Sequence, residues 1–305
     1  MVNCATKYFL MNKRLIFLFG LAFALIYACG DNNGGTTVDD FDHAAQALKD
    51  NDSLLVYLQN NYYDDTIDSI KPLIAGQTAL INDSRLMQKQ VTEEEVDYTL
   101  YYLVNRVGTP DPVKGFPTEA DSVLTRYEGS FMVRTDSLVL FERVISPRWF
   151  TLTTVIRGWT HGLVHFKGGR NVTTNGPITY EDGGKGVLFI PSGLAYRNLG
   201  NTLVPGSSPL IFYVDLFDII ENTDHDSDGV PSINEDPDGD GDPRNDDTDS
   251  DSIPNFIDTD DDGDGVLTRN EDANGDGDPT NDFSDPNNPT LPDYLNPNIT
   301  ENHDT

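Results

Sequence analysis

Negative charge is divided so unevenly along this chain of 305 residues that one packed core cannot hold all of it. Residues 221–305 contain 27 Asp or Glu against two Arg, Arg244 and Arg269, a net charge of −25; the residues before them carry only −6. The front therefore has the composition of an ordinary globular protein. The acidic remainder is a separate module that stays extended unless cations neutralise it. Such acidity excludes nucleic acid as a partner, because binding phosphates needs a basic face. The length suits roughly two domains, or one domain with appendages.

The N-terminus reads as an export signal over residues 1–28. Lys13 and Arg14 supply its positive region, and "LIFLFGLAFALIYA" (15–28) is apolar but short for a membrane-spanning helix. Met11 directly precedes the basic pair and is a second possible start. The stretch "IYAC" (26–29) resembles the lipobox of bacterial lipoproteins, which implies lipidation of Cys29, attachment to a membrane and residence in a bacterial cell envelope, on the outer membrane. Cys4 falls inside the removed segment and no other cysteine follows Cys29, so the mature chain has neither a disulfide nor a cysteine metal site. Residues 29–40 are polar and Gly-rich, as a flexible tether should be.

Residues 41–97 form a small helical and mixed segment. "DNDSLLVYLQNNYY" (50–63) opens with N-cap candidates and sets Leu54, Leu55 and Leu58 on one face, which predicts a helix; the region 67–97 offers only short strands. From residue 98, "YTLYYLVNRVG" alternates like a strand and ends at Gly108, and "DSVLTRYEGSF" (121–131) alternates again.

Seven short words then follow in order: "RYEG" (126–129), "LFER" (140–143), "FTL" (150–152), "VIRGW" (155–159), "IPSGLAY" (190–196), "LVP" (203–205) and "LIFYVDL" (210–216). Together they resemble the FKBP-type peptidyl-prolyl cis-trans isomerases over about residues 98–221. The resemblance implies an α+β fold, an FKBP-like antiparallel sheet wrapped round one short helix that starts near Trp159. It also implies a proline-binding cavity lined by Tyr127, Phe141, Glu142, Phe150, Val155, Ile156, Trp159, Tyr196 and Phe212, with Trp159 as its floor. The Tyr196 hydroxyl and the Ile156 backbone N–H would hold substrate carbonyls, and no cofactor takes part in the reaction. Taken singly, any of these aromatics reads first as an ordinary core residue; it is as a set that they match the family's cavity.

Three positions depart from the family pattern. Glu142 stands where Asp is usual and Arg197 where Gly is usual, while Arg148 occupies an aromatic position that Trp149 is expected to fill instead. The stretch between Gly168 and Gly186 is an insertion; it caps the cavity, holds a partner or is a solvated loop, the last being the expectation. His161 and His165 have the i, i+4 spacing of a zinc helix, but Gly162 replaces the Glu that metalloprotease chemistry requires and no third ligand is apparent. No Ser stands in a nucleophile motif.

In the acidic module, residues 222–283, "DHDSDGVPSINE" (224–235) and "DDDGDGVLTRNE" (260–271) both fit the EF-hand loop formula. Their predicted Ca2+ ligands are Asp224, Asp226, Asp228, Val230 and Glu235 in the first and Asp260, Asp262, Asp264, Val266 and Glu271 in the second, the valines through their carbonyls. Degenerate copies add Asp236, Asp238 and Asp240; Asp247, Asp249, Asp251 and Asp258; and Asp272, Asn274, Asp276 and Asp278. Glu235 is followed at once by Asp236, which leaves no room for the paired helices of an EF-hand. The pattern looks like the stacked calcium repeats of thrombospondin type-3 arrays. Residues 284–305, rich in Pro and Asn, are expected to be disordered. The expected whole is a lipid-anchored isomerase acting on X-Pro segments of exported proteins, with structural Ca2+ in its tail. Its rivals are an FKBP-fold binding module without turnover and a calcium-dependent cell-surface structural protein.

Overall fold

The computed structural model describes residues 40–303. The export signal, Met11, Cys29 and nearly all of the tether lie outside the described residues. From Asp42 onward the chain forms one compact unit, and among the described residues no helix is long and apolar enough to cross a membrane.

Helix α1 (His43–Asn60) begins where the Asp42 side chain accepts from the Ala45 N–H at 2.9 Å. The sequence places this helix seven residues too late, because the apolar residues of its first two turns are three Ala and the exposed Leu48, not a Leu face like that of Leu54, Leu55 and Leu58. A small hairpin follows, β1 (Asn61–Asp64) with β2 (Ser69–Pro72). The main sheet is antiparallel and six-stranded. It is built from β3 (Leu86–Glu93), β4 (Val96–Arg106), β5 (Ser122–Arg134), β6 (Ser137–Thr151), β9 (Gly184–Ile190) and β10 (Leu210–Ile220), in the order β3-β4-β9-β10-β5-β6. Two residues each of β7 (Arg170–Asn171) and β8 (Tyr180–Glu181) pair within the insertion.

Both faces of the central strands are covered, which makes them nearly continuous apolar runs. Leu188 and Ile190 of β9 and Leu100 and Tyr102 of β4 point to one face, where helix α2 (Arg157–Leu163) lies. Their neighbours Val187, Phe189, Tyr101 and Leu103 point to the other, against Leu54, Tyr57 and Leu58 of α1. The expected boundary at residue 98 is therefore corrected: β3 is the edge strand of the same sheet, and α1 roofs its far side. A 41–97 segment does not stand apart from the sheet.

Helix α2 sits unusually close to β9. A Cβ added to Gly158 would stand 2.3 Å from Cγ2 of Ile190, and one on Gly162 would stand 2.9 Å from Cδ1 of Leu188. The "GWTHG" spacing thus presents two bare positions, one turn apart, to the sheet.

The acidic region winds through short 3-10 turns with no flanking helices, as the loop spacing requires. The expected disorder of residues 284–305 is corrected: Tyr294 and Leu295 pack on the fully buried Val230 of the first loop, and Asp293 caps the Ser284 N–H at 2.6 Å. Three apolar side chains among many Pro and Asn were too few to signal this in the sequence.

Gly→Ala in a helix ordinarily stabilises by about 0.5–1 kcal/mol. At Gly158 the methyl group meets Ile190 instead, so Gly158→Ala should destabilise by ~1–3 kcal/mol, as read by denaturant unfolding.

Candidate active site and acidic clusters

Trp159, 4% exposed, lies on α2 with three rings standing edge-on around its indole. Tyr127 of β5 is 4.7 Å away between centroids at 89°, Phe212 of β10 is 5.2 Å away at 81°, and Phe150 of β6 is 5.4 Å away at 75°. These rings, with Glu142, Thr154, Val155, Ile156 and Tyr196, line a cavity of about 250 Å³. Eight of the nine sequence-predicted residues therefore converge on one cavity. Thr154 was missed because no word of the motif includes it.

Phe141 is the ninth and does not line the cavity. It occupies a β-bulge of β6, between the pairs Gly129–Glu142 and Ser130–Leu140, and braces Phe212 edge-on from behind at 5.6 Å. Gly129 makes room for this, since a Cβ there would come within 2.6 Å of Phe212 and 2.7 Å of Phe141. Trp149 does not fill the place of Arg148: it neighbours Phe150 in an unbulged stretch, so it points to the opposite face, half exposed. The insertion contributes nothing to the cavity among the described residues; its Tyr180 donates to Asp218 at 2.9 Å on the far part of β10.

The polar groups of the cavity are few. The Tyr127 hydroxyl donates to Glu142 Oε2 at 2.8 Å, which shows that the longer carboxylate still reaches its partner. Burial, then that carboxylate, pushes the Tyr127 hydroxyl well above its ordinary range, and burial also raises Tyr196. Both phenols stay protonated donors near neutrality. The Trp159 Nε1–H is buried without a hydrogen-bond partner. Ile156 is the N-cap of α2, so its N–H lies outside the intrahelical ladder. Arg197 follows Tyr196 with φ +54°, the left-handed conformation that suits Gly, and is ion-paired with Glu94.

Behind the cavity, α2 is held by charge. His161 Nδ1 lies 2.7 Å from Glu119, which also accepts from Lys89 at 2.6 Å. His165 instead stacks flat on Tyr102 at 4.0 Å. Arg157, next to Ile156, pairs with Glu93 and reaches Asp242 of the acidic region at 3.0 Å. Burial raises the Glu119 carboxyl, but the hydrogen bond and charge of His161, with Lys89, outweigh it and hold the group at about 2.

In the acidic region the carboxylates gather in sets whose ligand oxygens lie within 4.8 Å of one another. The sets are Asp224, Asp226 and Asp228; Asp260, Asp262 and Asp264; Asp247, Asp249 and Asp251; Asp236, Asp238 and Asp246; and Asp228, Glu235 and Asp261. Glu271, 1% exposed, has both oxygens unpartnered. Burial, then repulsion among neighbouring carboxylates, pushes Glu235 up to about 10 and Glu271 to about 9. The sequence-predicted ligands Asp240, Asp258, Glu271, Asp272, Asp276 and Asp278 join no such set among the described residues. Asp272 accepts the N–H groups of Gly275, Asp276 and Gly277, and Asp278 caps Thr280. Sequence reasoning missed Asp246 and Asp261. Asp246 had a detectable signal: it accepts the Asp238 N–H eight residues back, as Asp282 does for Asn274, a second period within the repeats.

Residues 113–217 match the family described as FKBP-type peptidyl-prolyl cis-trans isomerase, and residues 225–298 match the family described as BamM C-terminal. The chain is 33% identical over 103 residues to the FKBP-type isomerase FkpA of Escherichia coli K12, which covers 34% of this chain and 33% of that one. It is 29% identical over 120 residues to FkpA of Buchnera aphidicola from Schizaphis graminum, covering 39% and 40%. The chain thus spans about a third of the length of the first curated relatives it matches. Among solved structures, an isomerase from Pseudomonas syringae pv. tomato aligns at TM-score 0.37 and 18% identity, over 60% of this chain and 98% of that one. E. coli FkpA aligns at 0.32 and 30%, over 43% and 52%. Residues 113–217 are thus similar to the FKBP-type peptidyl-prolyl cis-trans isomerase family, and the second match runs on beyond residue 283.

A carboxyl held low in the fold stabilises it above the unfolded value, 4.5 for Glu, and loses that contribution as pH falls toward about 2. The stability difference between the native chain and Glu119→Gln should therefore be full above pH 4.5 and shrink below it, as measured by unfolding at stepped pH.

Proposed function

We propose that this chain catalyses cis-trans isomerisation of X-Pro bonds in exported or envelope proteins, anchored to a membrane through a lipid on Cys29. The observation that carries this reading is the aromatic cavity on Trp159, apolar on its walls and supplied with phenol donors at its edge. Rotation about an X-Pro bond crosses ~20 kcal/mol because the C–N bond has double-bond character. In the twisted amide that character is lost, the carbonyl is less polar and the prolyl nitrogen is pyramidal. A water-poor aromatic cavity favours this state over the planar, well-solvated amide. Tyr196 and the Ile156 N–H orient the peptide carbonyls, and no proton is transferred.

The acidic module is read as a Ca2+-ordered array. Its buried carboxylates carry unpartnered oxygens, and an all-oxygen donor set suits a hard divalent cation. Asp224, Asp226, Asp228 and Glu235 would hold one ion, and Asp260, Asp262, Asp264 and Glu271 another. The ions supply charge neutralisation only. Affinities of loops outside the cell are commonly ~0.1–1 mM.

A second reading, capture of proline peptides without turnover, is favoured by Arg148 and by the exposed Leu199 and Leu203 just beyond Tyr196. The two readings separate in one assay. On X-Pro peptides, whose uncatalysed exchange takes about 10–100 s, an isomerase accelerates exchange. Trp159→Ala should slow it by at least about tenfold, ~1.4 kcal/mol, and Tyr196→Phe by several-fold, the effect of one hydrogen bond of ~1 kcal/mol. Binding without acceleration by the folded chain would establish the second reading.

If the tail binds Ca2+ at Kd, millimolar Ca2+ should raise its melting temperature and chelator should lower it, by mass action. Scanning calorimetry with both additives reads this directly.

A further inference from the structure

Three carboxylates from two different repeats meet in the interior of the acidic module. Asp228 and Glu235 belong to the first loop, and Asp261 comes from the second, more than twenty residues further along. Their ligand oxygens lie within 4.8 Å of one another. Glu235 is fully buried, and Asp228 and Asp261 are each 1% exposed. Both carboxylate oxygens of Glu235, both of Asp261 and Oδ2 of Asp228 are buried without a hydrogen-bond partner. Among the described residues, no Lys, Arg or His forms an ion pair with any of the three.

Asp261 has no place in the loop formula as a ligand. It is the second residue of the loop 260–271, whose own set is Asp260, Asp262 and Asp264. Residues 260–263 make a turn closed by the Gly263 N–H on the Asp260 carbonyl at 3.1 Å, and Asp261 within it meets the first loop instead of its neighbours' set. Its N–H donates to Thr268 at 3.3 Å, a contact that fixes its backbone. Tyr294, 3% exposed, packs with Val230 of the first loop within electrostatic reach of Asp261, Glu235 and Asp228.

Three carboxylates this close and this dry must either take up protons or gain a counter-charge, and their five unpartnered oxygens converge where a cation would supply it. We propose that Asp228, Glu235 and Asp261 hold a divalent cation shared between the two repeats, with Ca2+ as the ion that suits their hard oxygens. The inference rests on the calcium reading of the module and deepens it: the array is a cross-linked unit, not a string of independent loops. Asp228 and Glu235 stand in both the first loop's proposed ligand set and the shared set, which couples filling of the loop to docking of the second repeat.

The test is calorimetric titration of the full chain with Ca2+, beside Asp261→Asn, Glu235→Gln and the double variant. Asp261→Asn is isosteric and outside the loop formula, and the X-Pro assay or near-UV dichroism of each variant confirms that the sheet domain is folded. The shared site predicts that Asp261→Asn alone weakens or removes one Ca2+ by at least about tenfold, ~1.4 kcal/mol. It also predicts that the double variant is little worse than Glu235→Gln, because both residues serve one ion. Asp261→Asn titrating like the native chain, while Glu235→Gln loses an ion, would overturn the shared site and leave the calcium reading intact. A native chain that takes up no Ca2+ would overturn both.

Discussion

The aromatic cavity depends on how closely α2 can lie against β9. Trp159 reaches the centre of its aromatic ring of neighbours only because Gly158 and Gly162 put backbone, not side chain, against Ile190 and Leu188. Those two strand residues in turn are held from the opposite face, where Val187 and Phe189 pack under α1. A helix of only seven residues has little stability of its own. Its position is set by this contact on one side and by His161, Glu119 and Lys89 on another. The cavity is therefore a property of the whole sheet, including the α1 segment that carries none of its residues.

The acidic module obeys the opposite physics. It has almost no apolar core, with Val230, Tyr294 and Leu295 as its one small cluster, and carboxylates such as Asp228, Glu235, Asp261 and Glu271 are prominent among its buried groups. Burial of apolar area supplies little to offset the repulsion among them. The module's arrangement of Asx turns, in which carboxylates repeatedly accept N–H groups two to five residues ahead, shapes each loop locally. That geometry leaves the remaining oxygens pointing inward.

What could be read in the sequence follows from this difference. The cavity residues were legible because they sit in short words on strands and on α2, where spacing fixes direction. Phe141 was misplaced because a bulge reverses its facing, and a bulge has no mark in "LFER". The β3–β4 hairpin was hidden for a similar reason. Its turn is Glu94-Glu95, both at positive φ, where Asn-Gly would have announced a tight hairpin. In the acidic module the register of Asp and Gly gave the loops, yet Asp261 is off register, and contacts between repeats are not encoded in the period of either one. The order near Tyr294 was equally invisible, since it depends on a partner more than sixty residues away.

The two modules meet at Arg157, and the consequence is electrostatic. Arg157 follows Ile156, which lines the cavity, and a free guanidinium there would place a full positive charge beside an apolar site. Glu93 of β3 and Asp242 of the acidic region take up that charge, and Arg244 bridges the same two carboxylates at 3.7 and 2.7 Å. Arg157 is thereby held away from the cavity, whose lining keeps a single ionisable acid, Glu142, already engaged by Tyr127. The position of Asp242 follows from the loop that precedes it, where the Asp236 carboxylate gathers the N–H groups of Gly239, Asp240 and Gly241. Order in the acidic module and the orientation of the first turn of α2 are thus joined through one guanidinium, so that the acidic repeats help set the electrostatic environment of the cavity without lining it.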